Sequence, residues 1–206
     1  MSDKKGMIKD ASILLLITVV AGLILGFVYQ ITKEPIAAAE EKAAKAAYQE
    51  VFPDAAGFSD KLELAVPEGD STWEQNYAGV DLDNALMATD AEGGCLGYVL
   101  TMTSHEGYGG DITFTMGIQN DGTLNGISLL SISETAGLGM KAGTVLVPQF
   151  AGKQVSQFTY TKTGSTMDSQ IDAISGATIT TKAVTNAVNG SLLAFNDYVQ
   201  GGAGNE

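Results

Sequence analysis

The chain has 206 residues, 11 lysines and no arginine, 24 acidic residues and a formal net charge of −13; this is length enough for one ordinary domain and the wrong charge balance for a nucleic-acid surface. One cysteine, Cys95, excludes an internal disulfide framework, and one distant histidine, His105, does not make a zinc cluster with it. No serine sits in a G-x-S-x-G elbow and no acidic series has the spacing of a calcium loop, which removes two further classes of chemistry.

Residues 1–10 hold Lys4, Lys5 and Lys9 against Asp3 and Asp10, and residues 11–31 (ASILLLITVVAGLILGFVYQI) carry no charge. Such a run is long enough to cross a hydrocarbon core as one helix and longer than the apolar core of a signal peptide. Ala37-Ala38-Ala39, a possible cleavage site, lies well past it. The reading is therefore an uncleaved transmembrane helix, in preference to a signal peptide or a buried helix. The lysines place residues 1–10 in the cytoplasm and everything after Tyr29 across the membrane. Gly22 and Gly26 form a G-x-x-x-G, a spacing that lets another membrane helix approach. Beyond residue 31 there are 8 lysines against 22 acidic residues, which reads as a solvated surface or as exclusion of anionic partners.

Residues 32–53 read as a stalk helix. Pro35 suits a first turn, residues 36–51 are strong helix formers, and Phe52-Pro53 stops the run. Ile36, Ala43, Ala47 and Val51 are the expected contacts with the domain, residues 54–206. Within it, Leu62, Leu64 and Val66 alternate as a strand over 61–66, and residues 67–94, rich in Asp, Glu and Gly, read as loop. Residues 97–104 and the alternating Ile112, Phe114, Met116 and Ile118 are strands; Asn120-Asp121-Gly122 turns the chain into a further strand over 124–132. His105–Gly110 is a glycine-rich connection, and Glu134–Lys141 a glycine-rich bend. Residues 145–150 and 155–160 are short strand candidates, and from Thr180 the spacing of Val184, Val188, Leu192, Phe195 and Val199 is that of an amphipathic helix. The fold class is α+β: a single N-terminal transmembrane helix, then a domain with a largely antiparallel sheet and flanking helices. There is no internal repeat.

The stretch DAISGATITTK, residues 172–182, is the most informative. It lacks the order of a phosphate loop, since Thr181 precedes Lys182 where glycine is required. A helix starting near Thr180 nevertheless offers free N–H groups to an anion, and Lys182 would then serve as a countercharge. The alternative is purely local: Thr178 or Thr180 caps the helix and Gly176 makes the turn before it.

Asp172-Ala-Ile-Ser175-Gly176-Ala177-Thr178 resembles the D-x-x-[ST]-G-A-T signature of covalently flavinylated domains. The anchor, SHEGYGGDI at 104–112 and SETAGLGMKA at 133–142 extend the likeness, and nearly the whole chain resembles the G subunit of Rnf-type ion-translocating ferredoxin:NAD oxidoreductase complexes. Ala136 stands where many relatives have proline. The resemblance implies an FMN-binding domain in which FMN is joined through its phosphate to Thr178, attached by a Mg-dependent flavin transferase with FAD as donor. It implies that Asp172 presents the motif or organises its turn, that Ser175 fixes the turn by hydrogen bonding, and that Gly176 and Ala177 leave room for the phosphate. By the same resemblance, Glu134, Thr135, Gly137, Leu138 and Gly139 are the expected ring-facing group. Tyr108, Gly109 and Gly110 are a second set, for which a plain turn is the alternative. The expected role is electron relay to iron-sulfur and flavin partners in a membrane complex coupled to Na⁺ or H⁺ movement, not catalysis on a free substrate. The C subunit of the Na-translocating NADH:quinone reductase carries a similar motif on a usually longer chain. A stand-alone extracytoplasmic flavin carrier and an anchored binding or structural module without cofactor are the other readings.

Overall fold

A computed structural model describes residues 2–62, 64, 66 and 69–200. Positions 63 and 65 of the expected first strand, 67 and 68 of the expected loop, and residues 1 and 201–206 lie outside the described residues. The chain divides into two compact units, Met1–Ala43 and Ala44–Glu206.

The first unit is helical throughout its described residues and belongs to α1 (Ser2–Val51). Its residues 6–31 are exposed, the large apolar side chains included, and among the described residues α1 is the one helix long and apolar enough to cross a membrane. An apolar run of this kind is stable only where hydrocarbon surrounds it, because its backbone is satisfied internally and its side chains are not. Pro35 lies inside α1 and does not begin a new helix. It leaves the Ile31 carbonyl without its helical donor, at the point where Lys33 and Glu34 end the apolar run.

The second unit starts with the last turns of α1. Two of the expected contacts, Ile36 and Ala43, belong to the first unit and are exposed; Ala47, Tyr48 and Val51 are buried in those turns together with Phe52. These residues pack with Leu86, Ala88 and Val99 on one face of a five-stranded antiparallel sheet. Its strands are β1 (Gly57–Phe58), β2 (Val80–Thr89), β3 (Cys95–Ser104), β4 (Ile112–Gln119) and β5 (Leu124–Ile132), each beside its neighbour in sequence. The other face carries Leu100, Met102, Phe114, Met116 and Ile118, packed with Ala183, Val184, Ala187, Val188 and Leu192 of α4 (Thr178–Ala194). Alternation in the strands and a three-to-four spacing in the helix thus meet in one core.

Four expectations change. Of the 61–66 strand the described residues form a single bridge, Leu62 to Ala85. The stretch read as loop holds α2 (Ser71–Asn76) and β2. Asp70 starts α2 by accepting the N–H groups of Thr72 and Trp73 at 2.9 and 3.0 Å, a sequence-visible cap. In β2 the register shifts between Leu82 and Asn84, so Asp83 is a bulge that moves the apolar phase from Val80 and Leu82 to Ala85. Residues 145–150 are helical turns, α3 (Ala142–Val145) and a 3₁₀ turn over Val147–Gln149; the buried Ala142, Leu146 and Phe150 recur every fourth residue. Of 155–160 only the end is extended, as β6 (Thr159–Thr161), which pairs in parallel with β7 (Gln170–Asp172). Beyond α4 a π-helical turn, Phe195–Gln200, closes the described chain.

Candidate functional site

The segment between β7 and α4 is built to leave a helix start open. Asp172 ends β7, where its Oδ1 accepts the Ser165 N–H at 2.6 Å, and its own N–H donates to Gln149 Oε1 at 2.6 Å. Its carboxylate therefore organises the loop between β6 and β7. Gly176 follows in the left-handed region at φ +77°, and a Cβ there would stand 3.0 Å from Leu138 Cδ2. Ala177 is the N-cap of α4 and supplies no side-chain cap. The first backbone hydrogen bond of the helix runs from the Thr181 N–H to the Ala177 carbonyl at 3.0 Å.

The hydroxyls of Thr180 and Thr181 are committed elsewhere, and neither Thr178 nor Thr180 caps the helix. Thr180 Oγ1 donates to Glu134 Oε2 at 3.0 Å. Thr181 Oγ1 donates to the Ala177 carbonyl and accepts the Ile174 N–H at 3.1 Å. Thr178, half-buried, is the first helical residue rather than the cap. Ser175 is exposed and makes no side-chain hydrogen bond among the described residues, so the turn is held by Gly176 and by Thr181, not by Ser175. The N–H groups of Thr178, Ile179 and Thr180 have no acceptor among the described residues, which leaves the positive end of the helix available to an anion.

A cleft of about 480 Å³ opens at this helix start, lined by Tyr108, Glu134, Thr135, Leu138, Gly139, Gly176, Ala177, Thr178, Ile179 and Thr180. Three chain segments far apart in sequence meet here. The bend after β5 brings Glu134, Thr135, Leu138 and Gly139, the connection between β3 and β4 brings Tyr108, and the first turn of α4 with the two residues before it brings the rest. Glu134 joins all three, because its Oε1 also accepts the Gly109 N–H at 3.2 Å. Gly139 is needed for that contact: a Cβ on it would lie 2.6 Å from Thr180 Oγ1 and 2.7 Å from Glu134. The apolar share of the wall is exposed in the isolated chain, with Tyr108 at 69%, Leu138 at 40% and Ile179 at 51%. The volume and the mixed lining are those of a small-molecule site.

Gly137 turns the bend at φ +78° without lining the cleft, and Gly109 acts through its N–H. Gly110 also sits at positive φ, within the connection. Lys182 faces away from the cleft. Its ammonium pairs with Glu106 Oε1 at 3.3 Å and lines a separate cavity beside Phe158, Tyr160 and Asn186. Glu106 Oε2 in turn accepts the Asn186 amide at 2.7 Å. The cleft residues that the sequence reading did not name as binding groups are Ile179 and Thr180. A helix start two residues earlier than the one assumed from the apolar period brings both into the first turn.

His105 anchors the connection that carries Tyr108. Nε2 lies 2.9 Å from Asp81 Oδ2 of β2 and Nδ1 2.8 Å from Asp111 Oδ1. Both ring nitrogens face carboxylates, which demands two N–H donors and hence the imidazolium. The Asp81 hydrogen bond, then that of Asp111, raises the His105 pKa to about 9.

Comparison with known proteins bears on this geometry. Residues 107–192, which include every lining residue of the cleft, match the family described as the FMN-binding domain, and residues 1–51 match the RnfG N-terminal region. The G subunit of the Na(+)-translocating ferredoxin:NAD(+) oxidoreductase complex of Acetobacterium woodii is 32% identical over 95% of this chain and 94% of its own. The chain belongs to the G-subunit family of ion-translocating oxidoreductase complexes. Family members from Methanosarcina acetivorans (31% identity, 97% of each chain) and Pseudomonas aeruginosa (27%, 95% of this chain and 91% of theirs) align over nearly the same length. A crystal structure of NqrC from Shewanella oneidensis covers 53% of this chain and 54% of its own at 20% identity and a TM-score of 0.45, a partial likeness only.

The residues present fit the FMN that this family name specifies. A phosphate finds open N–H groups at the start of α4, with Gly176 and Ala177 adding no bulk beside them. An aromatic ring system finds Tyr108, Leu138 and Ile179.

Proposed function

We propose that this chain is the membrane-anchored flavin carrier of an Rnf-type ion-translocating oxidoreductase complex, and that FMN is joined through its phosphate to Thr178. The observation that carries the reading is an uncapped helix start opening onto a ring-sized cleft, inside the residues that match the FMN-binding domain. When bound, FMN supplies the electron-transfer chemistry. Thr178 places its hydroxyl at the first position of α4, where the N–H groups of the first turn neutralise a phosphoester. A threonine hydroxyl is a weak nucleophile near neutral pH. Attachment therefore calls for a catalyst, and the family resemblance supplies one: a Mg-dependent flavin transferase that moves the FMN phosphoryl group of FAD onto Thr178 Oγ1 and releases AMP.

Glu134, Thr135, Leu138, Gly139, Tyr108 and Ile179 form the walls for the ring, and Asp172 holds the loop before the motif. Residues 11–31 span the membrane, residues 1–10 lie in the cytoplasm, and the FMN-binding domain lies on the opposite side, where covalent attachment prevents loss of the cofactor. The partners are the other membrane, iron-sulfur and flavin subunits of the complex; Gly22 and Gly26 give one of them a place to approach.

The test is co-expression with a flavin transferase, followed by denaturing electrophoresis under ultraviolet light and intact-mass measurement. A fluorescent band with the added mass of FMN less water is expected, and Thr178→Ala removes both signals while the domain stays folded. A wild-type band of unmodified mass, or an adduct that persists in the variant, overturns the reading. Protease added to the cytoplasmic side of oriented vesicles is expected to spare the domain.

A further inference from the structure

We propose that Glu134 is a positioning residue for the redox energetics of this cleft: its fixed, unneutralised carboxylate holds the reduction potential of the bound flavin low. The inference rests on the FMN reading above and adds to it a determinant of potential. Among the described residues that line the cleft, Glu134 alone carries a charge. Its two oxygens are engaged by neutral donors, the Gly109 N–H at 3.2 Å and the Thr180 hydroxyl at 3.0 Å, and it makes no ion pair among the described residues. Lys182, the cation of the same helix, is occupied by Glu106.

The carboxylate is also held in place. The Gly139 backbone lies so close that a Cβ on it would meet both Glu134 and Thr180, so the side chain is confined between that backbone and α4. Thr180 is 1% exposed, which shields its hydrogen bond from water. Hydrogen bonds from neutral groups orient a charge and disperse part of it, but they do not cancel it. Reduction of a flavin by two electrons and one proton leaves one more negative charge on the ring. A fixed, half-buried carboxylate in the wall of the cleft disfavours that product relative to the oxidised ring. The open N–H groups at the start of α4 are matched by the phosphate in this arrangement and leave Glu134 uncompensated.

Two substitutions separate charge from bracing. Glu134→Gln removes the charge and is expected to raise the midpoint potential. Thr180→Val keeps the charge and strips one of its two donors, and is expected to lower it. A residue that merely tied the three segments together would shift both variants in the same direction or neither. The measurement is a spectroelectrochemical titration of the full-length, adduct-bearing chain in detergent. At fixed potential, Glu134→Gln is expected to change the ratio of oxidised to reduced flavin at least tenfold, about 30 mV for a two-electron couple. Equal potentials in the three proteins, or shifts of the same sign, overturn the inference while leaving the Thr178 adduct standing. A wild-type protein without adduct overturns the FMN reading and this inference together. Should Glu134→Gln fail to fold, Thr180→Val decides: a fall in potential supports the inference, and no change or a rise sinks it.

Discussion

The two sides of the first turns of α4 are built on opposite rules. On the cleft side the N-cap is an alanine, the N–H groups of Thr178, Ile179 and Thr180 have no acceptor among the described residues, and the walls are exposed apolar groups. On the other side nearly every polar group is paired. Lys182 and Asn186 both reach Glu106, and Asn189 holds Phe158 by two bonds, accepting its N–H at 2.7 Å and donating to its carbonyl at 2.9 Å. A fold gains stability by satisfying its polar groups, so the unsatisfied side marks where stability has been left to a ligand.

That contrast can be broken from either side. The largest effect on stability is expected on the paired side: Asn189→Ala leaves a buried N–H and carbonyl of Phe158 without partners, and denaturant unfolding should show a loss of about 3 kcal/mol with flavin attachment intact in the folded fraction. An Ala177→Ser substitution carries the rule of the paired side into the cleft. Its hydroxyl caps α4, and the cofactor-free domain should gain up to about 1 kcal/mol by thermal unfolding, while the yield of fluorescent adduct falls as cap and phosphate compete for the same N–H groups. Lys182→Gln removes one exposed ion pair, with an expected cost of roughly 0–1 kcal/mol and an unchanged adduct; a lost adduct would show that Lys182 meets the phosphate after all. The smallest effect belongs to His105, because its side chain is 45% exposed and water screens it from both carboxylates. Its folded pKa of about 9 exceeds the ordinary histidine value of 6.5, so the stability it contributes is fully present below pH 6.5 and is lost as pH rises through about 9. Unfolding midpoints measured across that window should fall more in the wild type than in His105→Gln.

Legibility in the sequence followed physical range. The central strands and the hairpin turn were readable because period-two alternation and Asn120-Asp121-Gly122 are local signals. The second strand was hidden because a bulge at Asp83 reverses the phase in the middle of an acidic run. Residues 145–150 offered two periods at once, Val145 and Val147 suggesting a strand while Leu146 and Phe150 fixed a helical turn by their burial. At the site, the motif from Asp172 to Thr178 and the glycine bend pointed to the right segments, but not to which hydroxyl caps, which pairs and which stays open. Lys182 looked like a phosphate countercharge because it lies one turn from Thr178, and only its pairing with Glu106 shows where it points.

By itself the amino-acid sequence determined an uncharged span long enough to cross a membrane, an acidic α+β domain behind it, and a small-residue motif at the start of the last helix. These follow from composition and short-range periodicity, which act over a few residues. Tertiary structure alone decided that Tyr108, Glu134 and Thr178, 70 residues apart from first to last, line one cleft. It also decided that the helix start there stays uncapped, because each hydroxyl is claimed or left by the neighbour that folding brings to it: Glu134 for Thr180, the Ile174 N–H for Thr181, and no side chain among the described residues for Thr178.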